Sequence, residues 1–215
     1  MFEERKKFVD SIQSLSNEEK ELLYSALNMH GHFCGGMPMG FKAGLFALKT
    51  LGVSREPNMD KMVIIFTGER HAAGCFADGV QFATGCTYGK GLMKKEPKGK
   101  FSFLFVDKVN KKAVKVAIKP NVMLKAFQSP FIEMRKKGIK PTDIPKDLAL
   151  QMFKRPFTIE DNELFDFEGP FDYKVTKGKS CFNLVICEKC GEAVAENYIK
   201  VEDGKMICID CWSFS

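Results

Sequence analysis

Residues 30–44 read HGHFCGGMPMGFKAG, and the two halves of this stretch ask for different backbones. The first half, His30 to Gly36, is too rich in glycine to extend a helix and predicts a turn or loop. The second half opens a helix over Met37–Leu51 that stops at Gly52. Gly36, Gly40 and Gly44 recur every four residues, with Ala43 and Ala47 beside them, so one face of that helix carries almost no side-chain bulk. In an apolar span such a stripe would suggest membrane dimerisation. Lys42 and the short length argue against a span, and the expectation is tight helix packing inside a core. The loop half carries chemistry. His30, His32 and Cys34 offer imidazole and thiolate, both good donors to zinc and similar metals. Positions i, i+2 and i+4 share a face only on extended chain, so in a loop two of the three are expected to converge.

Upstream, NEEKELLYSALNM (residues 17–29) predicts a helix, with Ser16 or Asn17 as N-cap. Downstream, KMVIIFT (61–67) predicts a buried strand. A loop and a helix over Cys75–Ala83 follow, then a glycine-rich turn, then two alternating strands joined near Asn110 as a hairpin. Residues 120–138 read as one helix, 147–153 as a weaker one, and 156–180 as irregular linker.

Two more clusters lie beyond the first. His71, Cys75, Asp78 and Gln81 surround a predicted helix start, where the macrodipole favours a thiolate. Asp78 and Gln81 sit three and six residues after Cys75, near one face. Gly85-Cys86-Thr87-Tyr88-Gly89-Lys90-Gly91 has the makings of an anion-binding turn with one lysine, but lacks the full pattern of a nucleotide-binding loop. Taken singly, such residues are more often plain core or surface groups. Together they point to a shared metal or thiol site.

The tail pattern is Cys187-x-x-Cys190, seventeen residues, then Cys208-x-x-Cys211. Each pair lets a tight turn aim two sulfurs at one ion, and two pairs complete a closed tetrahedron. Gly191 follows the first pair where a positive φ is expected, and Asp203-Gly204 predicts a hairpin between 198–201 and 205–207. The expectation is a structural zinc finger of treble-clef or ribbon type with no open coordination position and no catalysis. Cys181 falls outside the spacing and is read as a packing cysteine.

The eight cysteines among 215 residues are expected to stay reduced, because no apolar signal segment or membrane-length run marks the chain for an oxidising compartment; the default location is the cytoplasm. The net charge of +6 is uneven. Between Lys90 and Arg155 there are 18 Lys and Arg against 5 Asp and Glu, whereas from Cys187 onward there are 3 against 6. A basic stretch attracts anions such as nucleic acid or a phosphorylated ligand; the plain reading is a solvated lysine-coated surface. The acidic balance of the finger and its all-cysteine ligation speak against base reading.

HGHFCGGMPMGFKAG, then CFADGVQFATGCTYGKG, then the terminal pair of C-x-x-C motifs, resembles the FmdE family of formylmethanofuran dehydrogenase components. The likeness covers the first hundred residues and the spacing of the tail. It implies an α+β core, with helices on a mainly antiparallel sheet over residues 1–178, and a treble-clef-like finger over 179–215. It also implies a homodimer, often with exchanged parts, and a metal-binding cleft near the His/Cys motif. By position it singles out His30, His32, Cys34, Cys75, Asp78, Gln81, Cys86 and Lys90. Gly35 departs from the family's common proline and loosens the turn.

Three functions follow as expectations. In the first, an enzyme or a component of one in anaerobic one-carbon metabolism holds a second transition metal, zinc by its donors. His32, Cys34 and Cys75 ligate it, His30, Asp78 and Gln81 orient ligands or move protons, and Lys90 holds an anionic group of a small-molecule ligand. In the second, the chain is an accessory, metal-delivery or regulatory module for a molybdenum or tungsten enzyme whose pterin chemistry sits on a partner. In the third, it binds nucleic acid, the least favoured reading.

Overall fold

The computed structural model describes residues 2–69, 74–176, 178 and 180–212; His71 lies outside them. The chain divides into two units, Met1–Val175 and Thr176–Ser215.

The first unit is α+β. Its sheet has strand order β2-β1-β3-β4-β5, with β1 Lys61–Ile65, β2 Met93–Lys95, β3 Ser102–Asp107, β4 Lys112–Ile118 and β5 Phe165–Asp172. Only β1 and β2 run parallel; the other pairs are antiparallel. The central strands β1 and β3 are buried on both faces, which explains why β1 runs apolar from Met62 to Ile65 rather than alternating. On one face Val63, Ile65, Phe103, Phe105, Val114 and Val116 pack against two helices, α3 Gly36–Leu51 and α4 Gly74–Thr84. On the other, Met62, Ile64, Leu104 and Val106 are met by Phe171, Tyr173 and Val175.

The glycine stripe sets how α3 and α4 meet. A Cβ at Gly40 would lie 1.9 Å from the Phe76 carbonyl oxygen, and one at Gly79 would lie 2.0 Å from the Met37 carbonyl oxygen. The two backbones are in direct contact, which no side chain permits.

A second apolar cluster gathers α1 Phe2–Asp10, α2 Asn17–His30, α6 Pro130–Lys136 and α7 Lys146–Lys154 around Leu23, Leu27, Met37, Phe41 and Phe153. Ser16 caps α2 in a reciprocal capping box with Glu19.

Two expectations fail in instructive ways, and two elements were not expected at all. Residues 120–138 form two helices, α5 Pro120–Phe127 and α6, because Pro130 cannot continue a helix and instead starts one behind the Ser129 cap. The stretch 156–180 is not all linker: a short α8, Asp161–Leu164, leads into β5, an exposed edge strand that tolerates Pro170. There Phe165 stacks on Phe46 at 5.0 Å. Neither α1 nor β2 has a sequence signal, both being short and dominated by charge.

The basic middle is partly neutralised across the sheet. Lys112, Lys115 and Lys119 on and after β4 meet Asp172, Glu168 and Asp166 of β5. That ladder favours the lysine-coated surface over an anion-binding track.

The second unit holds two small hairpins, β6 Leu184–Ile186 with β7 Ala193–Ala195, and β8 Ile199–Glu202 with β9 Lys205–Cys208. Gly191, Asp203 and Gly204 all take positive φ, the backbone their turns require. No helix among the described residues is long and apolar enough to cross a membrane.

Candidate metal centre

The front site is assembled where three helix ends meet. His30 is the last residue of α2, and Gly31, at φ 90°, stops the helix in a left-handed cap. The chain therefore doubles back at once, and the His32 ring comes to rest 4.2 Å from the His30 ring. Phe33 is pinned by edge-to-face contacts with Phe8 of α1 at 5.3 Å and Phe153 of α7 at 5.4 Å. Arg5 donates to the Gly31 carbonyl oxygen. These clamps from α1 carried no local signal in the sequence. Cys34 then enters α3, and Cys75 comes from the first turn of α4.

The result is four donors, from His30, His32, Cys34 and Cys75, all within 4.8 Å of one another. Cys34 Sγ lies 3.4 Å from His30 Nε2, while His30 Nδ1 is 2.8 Å from Asp78 Oδ2. Asp78 thus holds the ring so that Nε2 faces the cluster, the arrangement in which a carboxylate orients a ligating histidine. His30, expected to orient ligands or move protons, stands among the donors; it is the last residue of α2, one beyond the expected helix. Gln81 and Lys90 lie elsewhere: Gln81 Oε1 accepts from the Tyr88 amide, and Lys90 Nζ donates to the Glu56 carbonyl oxygen. Cys86 is fully buried, and burial pushes its thiol up to about 11; it behaves as core.

The thiol protons are shared unequally. Cys75 is held far below the usual thiol range by its hydrogen bond with Cys34, then by those of His30 and His32, against the opposing effect of burial. Cys34 is correspondingly driven well up, by Cys75 and by burial. Burial pulls the His30 imidazole down, but the bonds to Asp78 and Cys75 outweigh it and raise it to about 9. Without an ion these shifts favour a thiolate on Cys75, with protons kept by Cys34 and His30. Two thiolates and two imidazoles suit a borderline ion such as zinc.

A pH dependence follows. Ligation needs the His30 Nε2 proton and the Cys34 proton removed, so binding releases both below pH 9. As pH rises toward 9 the affinity for zinc should climb by about a hundredfold per pH unit, and above it by only about tenfold per unit, once His30 is neutral. Competition with a chromophoric chelator measures this; an affinity flat with pH would show that these groups do not ligate.

Three of the donors, His32, Cys34 and Cys75, also floor a cavity of about 230 Å³. Its walls come from Met39 of α3, Phe101, and Met123 and Phe127 of α5. Phe131 and Arg135 of α6 and Met152 of α7 complete it. A Cβ at Gly35 would touch Met152 Cε at 3.0 Å, so the bare glycine leaves that wall its room.

A family described as "FmdE, Molybdenum formylmethanofuran dehydrogenase operon" matches residues 29–166, a span that contains every front donor. The chain belongs to the FmdE family. Among curated proteins, a probable S-adenosyl-L-methionine-binding protein of Archaeoglobus fulgidus is 26% identical over 202 residues, covering 88% of this chain and 52% of that protein. The chain thus spans about half the length of that relative. The crystal structure of a tungsten formylmethanofuran dehydrogenase FmdE-like protein from Syntrophus aciditrophicus shares the fold. It aligns with a TM-score of 0.52 and 22% identity, over 90% of this chain and 91% of that one.

The FmdE match ends before the tail cysteines. There Cys187, Cys190, Cys208 and Cys211 bring their sulfurs within 4.8 Å of one another, a grouping compatible with a zinc finger. The Cys208 amide donates to Cys187 Sγ at 3.3 Å. That bond and one from Cys190 pull the Cys187 thiol down to about 6, whereas the neighbouring Cys208 and Cys190 thiols push Cys211 up to about 12. With no cation the cluster tolerates a thiolate on Cys187 and keeps the proton on Cys211.

Proposed function

We propose that this chain is a metal-dependent enzyme, or a component of one, that works on a small molecule at the front cluster, and that the tail cysteines hold a structural zinc. The observation that carries the reading is that donors from three separate elements converge at the floor of an apolar cavity. Structural sites are closed on all sides, while catalytic ones face a space where a substrate fits. With His30 Nε2 withdrawn, His32, Cys34 and Cys75, the donors that floor the cavity, would hold a zinc-like ion by three ligands, and in the fourth position it would supply Lewis acidity to a carbonyl or other donor group of the substrate. The chain's own residues do the rest. Asp78 fixes the His30 ring, His30 Nε2 takes up or gives back a proton beside the ion when it is not a ligand, and the Met and Phe walls keep water out. The FmdE family, with relatives named for formylmethanofuran dehydrogenase, supports a role beside anaerobic one-carbon chemistry in the cytoplasm.

Metal content tests this. Wild-type protein should carry two ions per chain, and Cys34→Ser and Cys75→Ser variants should carry only that of the tail. One ion in the wild type, or two retained by both variants, removes the front site.

A second reading has its own support. On the small tail unit Phe182 is 91% exposed, Leu184 72% and Val201 73%, apolar surface of the kind that docks a partner. In that reading the chain is an accessory or metal-delivery module, acting as a homodimer or on the subunits of another enzyme. Restored metal loading of a partner enzyme, with no turnover by this protein alone, would favour it.

A further inference from the structure

The cavity over the front cluster has a chemistry that narrows what it takes. Its lining is almost wholly apolar, and among the described residues lining it the only formal charge outside the donor cluster is Arg135. No carboxylate of a described residue lines it. A divalent ion on two thiolates and two neutral imidazoles would leave the floor without net charge, so Arg135 would be the unbalanced group. Arg135 lies near the end of α6, is exposed, and donates through one Nη to the Ile139 carbonyl oxygen. That bond holds the side chain in place, and the planar fork has further N–H groups to offer.

Size gives the second limit. An apolar cavity of about 150 Å³ accepts benzene. At about 230 Å³ this one has room for a ring and a short chain. Three methionines and three phenylalanines make up half of the residues in its walls. The flexible thioethers adapt to a flat or branched body and gain from sulfur–aromatic contact. Such walls give nothing to a polyol, a nucleotide or a sugar phosphate, whose hydroxyls would be stripped of water without partners.

We propose that the cavity binds a small hydrophobic monocarboxylate, its apolar body between Met39, Met123, Phe127 and Met152 and its carboxylate paired with Arg135 at the rim. This deepens the reading of the front cluster as a substrate site, yet it depends on the walls and on Arg135 rather than on the ion.

The probe is 4-phenylbutyrate, titrated calorimetrically into the full-length protein beside its neutral amide and the corresponding amine. The carboxylate should bind about tenfold or more tighter than the amide, the size of one charge-assisted contact, and the amine should give no saturable heat. Arg135→Gln, at an exposed position, should bring the carboxylate down to the amide and leave the amide unchanged. Ala126→Phe, which places a ring in the cavity, should weaken both more than about twentyfold, as loss of the apolar site requires. Equal binding of carboxylate and amide by wild type, no saturable binding of either, or unchanged binding by Ala126→Phe would each overturn the proposal. The same titration on Cys75→Ser separates the two readings. Retained carboxylate binding there, with a single ion in the wild type, would sink the metal site and keep this one. Two ions in the wild type with no carboxylate preference would do the reverse.

Discussion

If the tail cysteines hold the proposed zinc, its removal should unfold the whole of the second unit. Its buried cluster consists of Cys187, Ile207 and Cys208, with Val194, Ile199, Cys211 and Trp212 only partly covered, so two of the three buried residues are themselves ligands. Two hairpins of three and four residues per strand cannot stand alone in water. A structural zinc on four thiolates brings roughly 10–16 kcal/mol at neutral pH, more than such a module's entire folding free energy. Cys208→Ser should therefore abolish ordered amide dispersion for residues 184–212 in two-dimensional NMR, while the first unit keeps its spectrum and its urea midpoint. Chelator in excess should do the same to the wild type, reversibly on adding zinc. The protonation pattern sets the acid limit: with Cys211 pushed up to about 12, the ion must displace protons, and its hold weakens as pH falls. A tail that keeps its dispersion in Cys208→Ser would mean that something other than the ion folds it.

The parts of this molecule that can be read from sequence share one property: the constraint is local. Two C-x-x-C pairs specify a tetrahedron over four residues each, and Asp203-Gly204 specifies a turn whose positive φ values are present. The four-residue glycine spacing encodes a close contact on α3 without naming its partner α4. What stays hidden is built from a distance. The clamp on Phe33 comes from Phe8, in a helix so charged that its apolar positions, Phe8 and Val9, do not stand out. The strand β5 is masked by Gly169 and Pro170, which read as loop because the sequence does not say that the strand lies at an edge. His30 falls outside the expected ligand set by a single residue of helix: His30, not Met29, is the last residue of α2. The cavity cannot be read at all, since its walls come from α3, α5, α6 and α7 and no segment contributes more than a few side chains.

Placing one methyl group at Gly40 should collapse the front site from a distance. In an ordinary exposed helix Gly→Ala stabilises by up to about 1 kcal/mol, because alanine restricts the unfolded chain and glycine wastes helix propensity. At Gly40 the sign reverses. The new Cβ would sit 1.9 Å from the Phe76 carbonyl oxygen and 2.8 Å from its carbonyl carbon, both backbone atoms that no rotamer change can move aside. Gly79 faces the same obstacle from the other helix, 2.0 Å from Met37 O and 2.4 Å from Phe41 N. To restore ordinary contact α3 and α4 must part by more than an ångström. That strips the packing between them and strains the sheet beneath, a destabilisation of about 3–5 kcal/mol, at the upper end for a single substitution. Cys34 leads into α3 and Cys75 sits in the first turn of α4, where even a Cβ at Gly36 would come 3.0 Å from Cys75 Cβ, so the separation that relieves Gly40→Ala pulls the two thiols apart. Gly40→Ala and Gly79→Ala should each lower the urea midpoint of the first unit sharply and lose the front ion while the tail keeps its own. Gly89→Ala is the control: nothing lies within 4 Å of its Cβ, and its stability should stay within about 0.5 kcal/mol of wild type. If Gly40→Ala melted like Gly89→Ala with its metal content intact, the two helices would not be touching backbone to backbone, and the geometry that brings Cys34 to Cys75 would have to come from the loops alone.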